Sequence, residues 1–162
     1  MKVTQADRKS RGMDLVAITE LLNKTPVGRM ATISPDGVPY VVPVNFAFED
    51  DRIYFHCALD GMKLGYIKAN PKVGFEADEL LELYTTTGKP CSCGAYYRSV
   101  IARGKAKVVT DREKKLHALW MLVDKYVGKR DGEMPADIVD KTCVVEIVID
   151  EISGKAHLPR SK

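Results

Sequence analysis

His56 and Cys57 close a run of alternating residues, Arg52–Cys57, and four positions further on Gly61-Met62-Lys63 opens a stretch of helical character. A helix start offers unpaired N–H groups and the positive end of the backbone dipole to an anion, and a lysine in its first turn adds a full charge. A glycine and a lysine at a helix start also occur on ordinary surface, so the pair gains meaning only from its neighbours. Neither G-x-x-x-x-G-K-[ST] nor a G-x-G-x-x-G after a strand is present, which leaves P-loop and Rossmann chemistry without a carrier. His56 has two readings. It either hydrogen-bonds its neighbours or a bound anion, or it faces a cavity as a proton donor, since histidine is the side chain whose charge changes nearest neutrality. His117 falls on a polar helix face and His157 in a polar C-terminal segment, where neither has a chemical role.

The four cysteines, at 57, 91, 93 and 143, raise the question of a metal. Zinc ligands come in C-x₂₋₄-C pairs, and one C-x-C without a second pair is a poor set, so no metal site is expected. Cys57 and Cys143 lie in apolar runs and read as small core fillers. Cys91 and Cys93 could line a cleft or form a redox pair.

The elements that must position these residues follow from periodicity. Asp14 can cap a short helix to about Asn23, with Leu15, Ile18 and Leu22 on one face. Val27–Ser34, a Pro35-Asp36-Gly37 turn and Val38–Phe48 predict two strands. Pro39 and Pro43 place the second at an edge or a bulge, because proline cannot donate to a ladder. Arg52–Cys57 is a third strand, with Ile53 and Phe55 on one face and Tyr54 and His56 on the other. Gly61–Ala69 is a short helix ended by Asn70-Pro71, and Lys72–Ala77 a fourth strand. Residues 79–94 show no period and read as a long loop. Tyr96–Val109 is a bent strand with Gly104 at its bulge. Thr110 and Glu113 read as a capping box for a helix over Asp111–Tyr126, with Leu116, Leu119, Trp120, Val123 and Val127 as its core stripe. A loop over 128–137 leads to a last strand, Cys143–Ile149. Short hairpin-linked strands with few helices predict a small antiparallel barrel with the helices outside it.

Composition sets the outer limits. A chain of 162 residues with 45% hydrophobic and 29% charged side chains is one globular domain with a full core. We divide it into a polar N-terminal tail (1–12, including the Asp7–Arg11 charge cluster), a domain over 13–152 and a C-terminal tail (153–162). Lys+Arg number 25 against 22 Asp+Glu, a net +3 that is too small and too scattered to argue for nucleic acid. The N-terminus has no apolar core of a secretory signal, and no run approaches the ~18 apolar residues of a membrane span. A cytoplasmic protein without nucleic-acid or membrane partners is the expectation.

Read together, GRMATISPDGVPYVVPVNF (28–46), IYFHCALDGMK (53–63), ANPKVGF (69–75), YRSVIARGKAKVV (97–109) and the Glu113–Leu119 helix segment resemble one family. It is the flavin-binding split-barrel family related to pyridoxamine 5′-phosphate oxidase, and within it the nitroimidazole-resistance (Nim) branch. The resemblance covers about residues 12–150. It implies a six-stranded antiparallel split barrel that forms a homodimer and holds FMN in clefts between subunits. Carried over by position, Lys63 meets the FMN phosphate with Gly61, Met62, His56 and Cys57 beside it. Pro43, Val44 and Asn45 line the isoalloxazine ring, and Arg98 and Ser99 reach the cofactor from their strand. The implied activity is an FMN-dependent oxidoreductase acting on small aromatic or nitro-heterocyclic acceptors. The alternative is a non-catalytic flavin- or haem-binding redox or sensor protein. Met62 stands where the oxidases proper carry a phosphate-binding arginine. Residues 150–162 lack their arginine- and histidine-bearing segment, despite His157 and Arg160, which disfavours pyridoxamine oxidation.

Overall fold

The structure is a computed structural model that describes residues 1–4, 11–86 and 89–159, the side chains of 86–92 excepted. The Asp14 carboxylate accepts from Ala17 N at 2.8 Å and starts α1 (Leu15–Lys24), as its position predicts. Ile18, Leu21 and Leu22 are the buried residues of α1, while Leu15 is exposed. The first hairpin joins β2 (Gly28–Ile33) to β3 (Pro39–Val44) in antiparallel register, Gly28 opposite Val44 and Ile33 opposite Pro39.

The predicted run Val38–Phe48 is two strands, not one. β3 stops at Val44 and β4 (Phe46–Glu49) starts at Phe46, with Asn45 alone between them. β4 pairs with β5 (Arg52–Cys57), and α2 (Met62–Ala69) follows. Then come β6 (Lys72–Thr86), β7 (Lys89–Val108), α3 (Arg112–Tyr126), α4 (Ala136–Lys141) and β8 (Cys143–His157). The strand order is β3-β2-β6-β7-β8-β5-β4, with β1 (Lys2–Val3) parallel to β8. β3 and β4 are one residue apart in the chain yet end opposite sides of this path. The sheet therefore curls back on itself and opens at Asn45, which makes it a split antiparallel barrel. The expected six strands become eight because one run divides and β1 is added. Both prolines lie on the edge strand β3, where a missing N–H costs no ladder bond.

The barrel interior holds Met30, Phe46, Phe55, Phe75, Val145 and Ile147. A second apolar layer of Tyr54, Val109, Ala118, Leu119, Val139 and Val144 lies between the sheet's outer face, α3 and α4. Gly104 marks a register shift in the β7–β8 ladder, and a Cβ there would stand 2.1 Å from the Val148 carbonyl oxygen. The bulge expected at Gly104 is present, and close backbone approach is its reason.

Several expectations are corrected. Residues 79–94 are largely strand: β6 and β7 run on as a long antiparallel arm. The cap of α3 is Asp111, whose carboxylate accepts from Lys114 N at 2.8 Å, in place of Thr110. Its buried residues are Ala118, Leu119 and Leu122; the Trp120 ring is half-buried beneath Arg130 at 5.3 Å, outside the core. The sheet also extends past the expected tail boundaries. Lys2 and Val3 pair with Glu151 and Ile152, Gly12 bridges Lys155, and β8 continues to His157. His157 Nδ1 lies 2.9 Å from the Ala95 carbonyl. Of the Asp7–Arg11 cluster, residues 7–10 lie outside the described residues, as do Arg160 and the Cys91 side chain. No described helix is long and apolar enough to cross a membrane.

Candidate functional site

The opening at Asn45 is held by a tyrosine that the sequence did not single out. Tyr126, at the end of α3, accepts from Phe46 N (2.8 Å) and donates to the Pro26 carbonyl (2.7 Å), with the Phe46 carbonyl at 3.1 Å. Asn45 Nδ2 donates to the same Pro26 carbonyl at 3.1 Å. One hydroxyl thus satisfies backbone groups that lose their ladder partners where the barrel splits. Beside it lies Lys125, whose Nζ donates to the Leu22 carbonyl at 2.8 Å and sits 3.5 Å from the Phe46 ring centroid. Burial pushes this amine down to about 8.

Asn45 and Tyr126 share a cleft of about 440 Å³ with His56, Leu119, Val123 and Thr142. His56 reaches it through strand alternation, since Ile53, Phe55 and Cys57 face the barrel interior and Tyr54 and His56 face α3. Its imidazole is exposed and has no protein hydrogen-bond partner among the described residues. His117, by contrast, is bound to Glu49 at 2.9 Å on the surface.

Cys57 is half-buried opposite Cys143 in the β5–β8 ladder. Burial pushes its thiol up to about 11, the neighbouring Cys143 adds to this, and the Lys63 ammonium works against it. The chain then turns through Gly61, at φ 125°, a conformation in which only glycine is unstrained. Gly61 caps α2 without any side-chain bond to its first-turn N–H groups. Met62 is exposed and Lys63 half-buried. A larger cleft, of about 760 Å³, lies along α2 from Gly61 and adjoins the first at Thr142.

Pro43 is exposed on edge strand β3, and Val44 is buried in the barrel. Arg98 and Ser99 lie on β7 opposite Glu79 and Asp78, and line neither cleft. The Arg98 guanidinium is committed to Glu79 (2.6 and 3.0 Å) and Glu20 (3.0 Å). Hydrogen bonds from Lys24 and then Arg98 hold the Glu79 carboxyl below its usual range. The structure thus gathers Asn45 with His56, and Cys57 with Gly61, Met62 and Lys63, and it sets Arg98 in a separate ion-pair group.

Glu146 is a further residue that sequence reading passed over. Its side chain is 1% exposed, between Arg52 (3.1 Å), Lys107 (3.2 Å), Lys114 (2.5 Å) and the Tyr54 hydroxyl (3.2 Å). Burial works to raise its pKa, and hydrogen bonds from Lys114 and Lys107 outweigh it, so the carboxyl stays below its usual range. A lone glutamate within the apolar run Cys143–Ile149 was the available signal.

A family model described as pyridoxamine 5′-phosphate oxidase matches residues 14–156. The structure resembles that of a protein described as a 5-nitroimidazole antibiotic resistance protein of Bacteroides thetaiotaomicron. The identity is 26% and the TM-score 0.78, over 90% of this chain and 86% of that one. The flavocytochrome Anf3 of Azotobacter vinelandii shares the fold at 23% identity and a TM-score of 0.81, over 95% of this chain and 72% of that one. The FAD- and haem-binding protein of Mycobacterium smegmatis does so at 18% and 0.80, over 92% and 75%. A sequence search of curated proteins returns no match. With the family model spanning nearly all of the barrel, the chain belongs to the pyridoxamine 5′-phosphate oxidase family.

Proposed function

We propose that this protein binds FMN and works as an oxidoreductase on small nitro-aromatic acceptors. The observation that carries the reading is the start of α2. Gly61 provides a helix N-terminus with no side-chain cap, Lys63 follows in the first turn, and the strand end at His56-Cys57 leads directly into it. That set fits a phosphate, since free N–H groups and a lysine are what a dianion needs. The protonated Cys57 thiol adds no competing negative charge. Pro43, Val44 and Asn45 fit the flavin ring, because exposed Pro43 and Asn45 flank buried Val44 at the point where the barrel opens. Arg98 and Ser99 enter this reading only as donors on β7, and any part Arg98 plays competes with its bonds to Glu79 and Glu20.

Bound there, the flavin supplies the two-electron chemistry between a nicotinamide donor and the acceptor. The chain's own part is to fix the phosphate at α2, shape the ring's wall at β3 and keep the split rigid through Tyr126. We assign His56 a supporting role at the strand end. The working unit is a two-fold homodimer, with the cofactor held between subunits. The likeness to the resistance protein of B. thetaiotaomicron supports the nitro-aromatic acceptor class.

One observation favours a second reading. An imidazole without a protein partner in an apolar cleft is what an axial haem ligand requires. The spectrum of the purified protein separates the two: flavin absorbance supports the first reading and a Soret band the second. For the first, FMN should bind more tightly than riboflavin, and Lys63→Glu should weaken FMN by about tenfold or more, at least ~1.4 kcal/mol. Equal affinities for FMN and riboflavin in the unmodified protein would overturn the phosphate assignment.

A further inference from the structure

Gly65 sits in the middle of α2, where glycine lowers helix stability by about 0.5–1 kcal/mol relative to alanine. The fold gives no reason for it. Its φ is not positive, and a Cβ built there meets nothing within 4 Å. What Gly65 faces is the cleft of about 760 Å³ between α2, the end of β7 and the first turns of α3. The walls are apolar, with Leu64, Ile67, Ala106 and Val109 among them, and Cys143 behind. Its charged residues are Lys68, Lys107 and Lys115 against Asp60 alone. Lys68 and Lys115 make no ion pair among the described residues. Lys107 is held in place from behind by the buried Glu146, which it shares with Lys114 and Arg52.

An apolar slot with lysines around it and a helix backbone left bare at one point fits a specific chemistry. We propose that this cleft binds a small apolar carboxylate, its body against Gly65, Leu64 and Val109 and its charge between Lys68 and Lys115. The cleft shares Asp60 and Gly61 with the start of α2 but contains neither Lys63 nor any residue of the ring wall at β3, and the proposal does not depend on the flavin reading. Aromatic and aliphatic carboxylates share this chemistry, so both are used as probes.

Calorimetric titration of the full chain, with and without saturating FMN, tests the site with 2-naphthoate, octanoate and the uncharged 2-naphthylmethanol. Saturable binding of at least one carboxylate is expected, with the alcohol about tenfold weaker or more if two lysines contact the charge. The carboxylate that binds identifies the body the slot prefers. Gly65→Leu should fill the slot and abolish binding, and because leucine favours helix its fold should be kept, which thermal denaturation checks. Lys68→Gln/Lys115→Gln should bring the carboxylate down to the level of the alcohol. Absence of saturable binding, equal binding of the alcohol, unchanged binding in Gly65→Leu, or displacement of the carboxylate by FMN would each overturn the proposal. A chain that binds a carboxylate in this way but takes up no FMN leaves the site standing and removes only the flavin reading.

Discussion

His56 and Lys63 lie seven residues apart and serve different surfaces. The imidazole faces α3 across an apolar cleft, whereas the ammonium acts on the Cys57 thiol at the helix start. The imidazole lies to one side of the proposed phosphate site, and solvent can supply the protons that nitro reduction consumes. We therefore expect His56→Ala to loosen FMN while turnover of the FMN-saturated protein with a nitro-aromatic acceptor stays within about threefold of the parent. A fall of about 10²-fold or more at saturating FMN, the usual loss of a general acid, would show instead that His56 delivers a proton. At this scale the sequence was partly legible. Glycine, lysine and histidine announce chemistry by type, so Gly61, Lys63 and His56 could be named in advance. Tyr126 and Lys125 could not, because their importance comes from Pro26, Phe46 and Leu22, which meet them only after α3 has packed across the split.

The helix α3 separates two neighbouring residues that sequence alone ranks the wrong way round. Thr110 and Glu113 have the spacing of a capping box, but the carboxylate that accepts a first-turn N–H is that of Asp111. Asp111→Ala should lower stability in urea denaturation by about 1 kcal/mol, and Thr110→Ala by a few tenths at most. The reverse order would return the cap to Thr110. Sequence reads such elements well where both faces have cover: β5, with Ile53 and Phe55 in the barrel and Tyr54 beneath α3, was bounded to the residue. It fails over 79–94 because Leu80, Leu81 and Leu83 of the arm are all exposed. Consecutive residues of a strand project to opposite faces, so an arm uncovered on both carries no inside-outside pattern to read. Trp120 misled for a related reason. Helical spacing with Leu116, Leu119, Val123 and Val127 placed it in the core, while Ala118, Leu119 and Leu122 define a buried stripe that passes beside it.

Taken whole, the barrel leaves apolar side chains in the open on its β2–β3 side and on β7, with Ile33, Val38, Val41 and Ile101 exposed. Apolar patches left in the open mark contact surfaces, and in the function proposed above each copy of the barrel supplies half of a flavin cleft. Light scattering of the FMN-loaded protein should therefore give the mass of a two-fold dimer; a stable monomer that retains its FMN would contradict the cofactor's place between subunits. One strand bears on how such a barrel comes to exist. β8 pairs with β1, β5 and β7, and it follows all three in the chain. A nascent chain that has emerged as far as Thr142 already carries Phe55 and Val100, yet β5, paired with β4, and β7, paired with β6, still lack the strand that joins them. With so many of its pairings remote in sequence, closure takes on the order of milliseconds to seconds once β8 arrives. Until then two strand edges are bare, and the interval before β8 arrives is when this chain is most open to edge-to-edge pairing with other chains.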